Sequence, residues 1–283
     1  MKRAQIFFLL LFFTTAVTAQ ELNYIGSFGK FSSANSFSIN PAGIIFAADN
    51  EKNEIYKIDT LGITLKSIGG YGWGESTFDD PADIFATTLN VYVTDKNNHR
   101  IQIFDKDLNY LSQFKTNESE NEKLQFAYPA CAAVSNQGDL YILDSDNTRI
   151  LKYGLSGNFL LQIGGNDAGE YSLTNPINFA ISDDGKLFVI DSDKIFVFDQ
   201  YGTGLTKIEM GIEAYNLSIG SNKILLNSVD QIKIIDLNNL QDGFKIFDSA
   251  QLEIDSPIKE AILFNNKLYV LTDTTIHVCN FAK

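Results

Sequence analysis

Few residues in this chain are equipped for chemistry. It carries two His and two Cys in 283 residues. The densest reactive group is Asp95, His99 and Arg100, an acid, an imidazole and a guanidinium close together in sequence. Such a set could run general acid–base catalysis. However, Asp144, Asn147 and Arg149 stand in the same frame with no His. A grouping that recurs in this way is expected to hold a turn, with Asp95 accepting hydrogen bonds from the segment Asn97-Asn98-His99. The pairs Asp144/Asp146 and Asp191/Asp193 suggest calcium, yet neither continues into the further oxygen ligands and Gly that an EF-hand loop requires. No Gly-x-Ser-x-Gly elbow, P-loop or Cys-x-x-Cys is present. The reading assigns no catalytic residue, no metal and no cofactor. Cys131 and Cys279 are expected to be separate buried thiols.

The charge balance narrows the partners. Lys and Arg total 22 against 35 Asp and Glu, a net charge of −13. Nucleic-acid binding needs clustered cations to displace counterions, so no nucleic-acid partner is expected. An anionic membrane surface is disfavoured for the same reason. The 45% hydrophobic content fits a packed globular chain.

The first residues read as an export signal. Lys2 and Arg3 precede an unbroken apolar run over 6–13, and Val17-Thr18-Ala19 supplies small residues at a cleavage spacing. Cleavage near Ala19 is expected, leaving 20–283 as a single domain, secreted or periplasmic, with no membrane insertion. Removing Lys2 and Arg3 takes the net charge from −13 to −15.

The elements that must position any site come from internal repetition. Asp49, Asp95, Asp144 and Asp191 each end a β-rich run and recur 46, 49 and 47 residues apart. Around each lie short β-rich segments parted by turn residues, such as Asn90 to Asp95 and Ile101 to Asp105, with no helical period. Runs such as Ile195-Phe196-Val197-Phe198 do not alternate with polar residues, so both faces of the strand must be covered. A period near 47 with four strands per unit predicts a β-propeller. The 264 residues after Ala19 divide into six units of 44. The final unit stops after its third strand, and Asn23 to Phe28 resembles the fourth-strand runs. The N-terminal strand is therefore expected to complete the last blade. The fold expected is all-β: six four-stranded antiparallel blades, closed by that strand.

The stretch 81–114, with Val91-Tyr92-Val93-Thr94-Asp95, Asn98-His99-Arg100-Ile101 and Ile103-Phe104-Asp105, resembles an NHL repeat. The Gly-rich segment Gly69-Gly70-Tyr71-Gly72-Trp73-Gly74 resembles that family's connection between blades, and 129–165 resembles a second repeat with Thr148 in the place of the His. The resemblance implies a six-bladed NHL-type propeller. It implies little about activity, because propellers host binding modules, lyases and lactonases. A three-His zinc site, as in peptide-amidating lyases, cannot be assembled from His99 and His277. Asp80, Asp83, Asn175 and Asn178 fall where strands approach the axis, which keeps a metal-assisted, lactonase-like hydrolase or a lyase at the channel mouth as the alternative function.

The favoured function is an exported, monomeric, non-enzymatic binding or scaffold module. Its candidate ligand-binding residues are Tyr71, Trp73, Asp80, Asp83, Tyr128 and Tyr171, carried by or next to the long inter-blade connections, together with further acids such as Glu118, Glu120 and Glu122. Aromatics with acids suit a protein, peptide or glycan partner, or a cationic one.

Overall fold

The computed structural model describes residues 22–117, 119, 121 and 124–281. The expected leader and cleavage site, as well as Glu118, Glu120 and Glu122, lie outside the described residues. The chain forms six four-stranded sheets, each antiparallel throughout. Blades 1 to 5 span 34–69, 81–114, 132–163, 176–209 and 216–248. Blade 6 takes three strands from 260–281, and its fourth is Leu22–Phe28, which pairs antiparallel with Ile276–Phe281. The expected closure by the N-terminal strand is thus present.

The innermost strands are Ala34–Ile39, Pro81–Ala86, Ala132–Val134, Pro176–Ile181, Asn216–Gly220 and Glu260–Phe264. They neighbour one another around the axis. The apolar residues that cannot alternate are buried between sheets. Phe46, Ala48 and Ile55 of blade 1 pack on Ile84, Val91, Val93 and Phe104 of blade 2. Comparable clusters fill each of the other five seams, the last joining blade 6 to blade 1 through Leu271, Ile276, Phe37 and Ile45. Full burial of each such side chain contributes about 1.5–3 kcal/mol, so the seams hold the ring together.

The acids that mark the repeat are the polar fasteners of the blades. Asp49, Asp95, Asp144 and Asp191 are essentially inaccessible to solvent. Asp49 accepts hydrogen bonds from the backbone of Ser32 and Ser33, and Asp191 from that of Thr174 and Asn175, so each acid ties a blade to the segment entering it. Cys131 and Cys279 are buried and free.

Candidate functional site

Two regions gather polar or exposed aromatic side chains, the connections on the face where blades join and the neck of the axial channel.

On the joining face, the loop between blades 1 and 2 is fixed by a single arginine. Arg100 Nε pairs with Asp95 at 2.7 Å, and its terminal nitrogens donate to the carbonyls of Trp73, Gly74 and Thr77 and to Gln113 Oε1, at 2.8–3.0 Å. Asn98 adds a bond to the carbonyl of Gly72 and two to Asp95. The expected acceptor role of Asp95 is present in part. Asn98 and Arg100 serve it, while Asn97 instead bonds Asp79. The loop so pinned leaves Tyr71 65% and Trp73 72% exposed, with their rings edge to face at 5.9 Å.

His99 takes the left-handed turn position (φ 52°) that Asn53 and Thr148 hold in the flanking blades, which is its architectural role. Its imidazole also reaches the next connection. Nδ1 accepts the backbone N–H of Tyr128 at 3.0 Å, and the two rings meet edge to face at 4.2 Å. Tyr128 remains 42% exposed.

The other candidates are placed differently. Asp80 lies in the seam between blades 1 and 2. Its Oδ1 accepts from Asn50 Nδ2 at 2.6 Å, its backbone N–H donates to Asn53 Oδ1, and Lys96 stands 3.8 Å away. Tyr171 fills a gap in blade 4, edge-on to Phe198 and Phe196, over the position where a side chain on Gly204 would project. Lys207 lies over both Tyr171 and Phe196. Asp83 lies in the channel, not among the loop aromatics.

At the channel neck one residue in, or just before, each inner strand occupies the same repeat position: Ser36, Asp83, Cys131, Asn178, Asn216 and Glu260. Each stands opposite the residue preceding the repeat's marker acid or its replacement, Ser228 or Thr272. In four cases the side chain accepts a backbone N–H from the next blade. Ser36 takes that of Ile84, Asp83 that of Ala132, Asn178 that of Leu217 and Glu260 that of Phe37, over 2.8–3.3 Å. Asn216 breaks the pattern, and its Oδ1 has no hydrogen-bond partner within the protein.

The neck separates two cavities. One, of about 190 Å³, opens toward the joining face and is lined by Asn35, Asp83, Asn178, Tyr215, Asn216 and Lys259, among others. The other, of about 170 Å³, is mostly apolar below the neck, with Ile39, Phe85, Ile181 and Ile262. Burial raises the Asp83 carboxyl above its ordinary range, against the Ala132 N–H and the Ser36 hydroxyl. Glu260 is pushed up to about 8, first by burial and then by the charge of Asp83, with the Phe37 N–H, Ser36 and Asn216 pulling the other way. Burial also holds the Cys131 thiol well above its usual value.

Neither His enters the channel. His277 lies on blade 6 between Thr275 Oγ1 and Tyr24 OH, and burial lowers its pKa. Among the described residues no three His, Cys, Asp or Glu side chains gather as a metal-ligating set.

Sequence reasoning missed Ser36, Asn216 and Glu260. Blades 5 and 6 carry Ser228 and Thr272 where the marker acid stands, so the register could not be counted into their inner strands. The signal that could have found Ser36 is its place in blade 1, matching Asp83 in blade 2.

Comparison with known proteins agrees with this architecture. A family model described as the NHL repeat matches residues 78–104 and 126–153. Over 144 residues the chain is 31% identical to Protein brain tumor of Drosophila melanogaster, a match covering 49% of this chain and 13% of the fly protein. Among solved structures, a gluconolactonase of Xanthomonas campestris superposes with a TM-score of 0.68 at 9% identity, covering 94% of this chain and 92% of that one. Virginiamycin B lyase of Staphylococcus aureus superposes with a TM-score of 0.61 at 12% identity, covering 93% and 99%. At such identities these two likenesses concern the fold alone. Two stretches of this chain thus match the NHL repeat and stand in a closed ring of six blades, which supports an NHL-repeat β-propeller.

Proposed function

We propose that this propeller is an exported, non-enzymatic recognition module that binds a basic, aromatic-bearing segment of a protein partner on its joining face, across blades 2 and 3. The observation that carries the reading is the pair Tyr71 and Trp73. Both stand in water on a loop whose backbone is fixed by Arg100. A large aromatic that packs between blades, as Tyr171 does, serves stability. Rigid aromatics left exposed match the anchors that dominate protein interfaces, where little ordering entropy remains to be lost. Tyr128 on His99 extends the surface, and Glu75 and Asp79 supply charge complementary to a Lys- or Arg-bearing segment.

The test is selection of random peptides on the immobilised propeller. The reading expects enrichment of sequences combining Lys or Arg with an aromatic residue. Their binding should weaken with salt and disappear in Trp73→Ala and Tyr71→Ala, with melting unchanged. Enriched peptides that bind these variants undiminished would reject the face.

A second reading, hydrolase or lyase chemistry at the channel mouth, is favoured by the paired carboxylates Asp83 and Glu260 in a cavity-lined neck. Turnover of lactones by the purified chain, abolished by Asp83→Asn, would establish it over the first.

A further inference from the structure

We infer that the outer edge of blade 5 accepts an added strand, a short extended segment of a partner protein that is apolar at its centre and carries Lys or Arg at both ends. Each blade ends in an outer strand whose far edge pairs with no further strand. In five of the six, one extra residue bulges that edge. These residues are Ile25, Leu65, Leu111, Leu160 and Leu205, each skipped in the pairing with the third strand. A bulge interrupts the flat row of donors and acceptors, one of the ways in which edge strands are kept from pairing with other chains. Lys245–Asp248 of blade 5 is the exception. It pairs with Gln231–Asp236 without a shift.

The backbone at this edge is open at its centre. Ser228 N–H donates to the Gln231 carbonyl on one side of the third strand, and Ser249 N–H donates to the Asp230 carbonyl on the other. By antiparallel alternation Lys245 and Phe247 then bond inward, while Ile246 turns its N–H and C=O away from the sheet. Neither group has a partner among the described residues. The Ile246 side chain is 51% exposed, whereas Phe247 anchors the strand in the seam with blade 6. Gln251 and Leu252 take up the outward groups of Asp248 and close the edge at that end, so the opening suits a short segment.

Charge selects the partner. Asp242 precedes the strand, and Asp248, Glu253 and Asp255 end or follow it, all exposed. Lys245 is the only cation from 241 to 256. Cations at both ends of an added segment meet these acids, and an apolar, β-branched centre covers Ile246. A second copy of this edge would add its own acids to these, which disfavours self-pairing.

This inference is independent of the loop-face reading on blades 2 and 3. The probe is a fluorescein-labelled octapeptide, alternating Thr and Val between two pairs of Lys, followed by anisotropy. Saturable binding, one peptide per chain, is expected. Ile246→Pro removes an N–H that bonds nothing in the sheet, and Pro is tolerated on edge strands, so melting should hold. Affinity should fall at least about tenfold, as when a backbone hydrogen bond is lost. The same fall is expected in the wild type for one of two peptides, N-methylated at its Thr or at its Val residues, a readout that needs no variant to fold. Trp73→Ala should bind the octapeptide as the wild type does. No binding, or undiminished binding of both methylated peptides, overturns the added strand. Loss in Trp73→Ala moves the peptide to the loop face and overturns it equally. A concentration-dependent dimer in sedimentation that Ile246→Pro abolishes would give the edge to a second copy instead.

Discussion

Glu260 is the residue whose surroundings depart furthest from those of the unfolded chain. Its carboxyl titrates near its ordinary 4.5 when exposed and at about 8 in the neck. The folded state therefore holds a proton that the unfolded state releases, and stability falls as pH rises between those two values. The groups facing it are Asp83 from blade 2 and the Cys131 thiol from blade 3, while Lys259, just before its strand, is turned to Asp273. The melting temperature of the wild type should drop progressively from pH 5 toward pH 8 (values set by the ordinary and the shifted pKa). Glu260→Gln should flatten the profile and melt higher than the wild type at the alkaline end. A wild-type profile flat over this range would contradict the burial of Glu260 beside Asp83. At the same scale, the chemical type of Asp80 and Tyr171 marks them as ligand-binding candidates in the sequence. The structure shows Asp80 tied to Asn50 and Asn53, and Tyr171 covering Gly204. Residue type and loop position do not reveal whether an aromatic ring finds a gap to fill, because that depends on a side chain missing from another strand.

At the scale of the element, the pinned loop and the blade seams bear the weight. Arg100 and Asp95 form a buried pair, 6% and 0% exposed at the side chain, with every guanidinium nitrogen engaged. Arg100→Leu removes the cationic partner of buried Asp95 and the donor to the carbonyls of Trp73 and Gly74, and should cost about 3–5 kcal/mol in denaturant unfolding. It should also lower the fluorescence anisotropy of Trp73, whereas Arg100→Lys cannot restore the forked contacts. Gly220 lets blades 5 and 6 approach closely, where an added Cβ would meet the Leu263 carbonyl at 2.3 Å. Gly220→Ala should cost about 1–3 kcal/mol through overpacking, read as a lower denaturation midpoint at unchanged slope. The blades were legible in the sequence because strand runs apolar on both faces, such as Ile195 to Phe198, admit few burial solutions, and because Asp49, Asp95, Asp144 and Asp191 keep the register. The neck was only half legible. Asp83 and Asn178 follow the prolines that open their strands, whereas Asn216 and Glu260 lie in blades without those landmarks.

At the scale of the whole molecule, the ring closes through one strand. Leu22–Phe28 pairs along Ile276–Phe281 with a bulge at Ile25, and Leu22 packs on the seam between blades 5 and 6. Deleting residues 20–29 uncovers the edge of blade 6 and should replace one cooperative melt with a broad, lower one. An unchanged transition would show that the closing strand is dispensable. The molecule thus presents an exposed aromatic pair where the blades join and an oxygen-lined neck on the axis. The proposed recognition surface has its own reporter, since Trp73 is the chain's single tryptophan. The most direct measurement is its emission during titration with a selected basic peptide. The account predicts a saturable blue shift with protection from a soluble quencher, reversed by salt. Binding confirmed by calorimetry while Trp73 emission and quenching stay unchanged would contradict it.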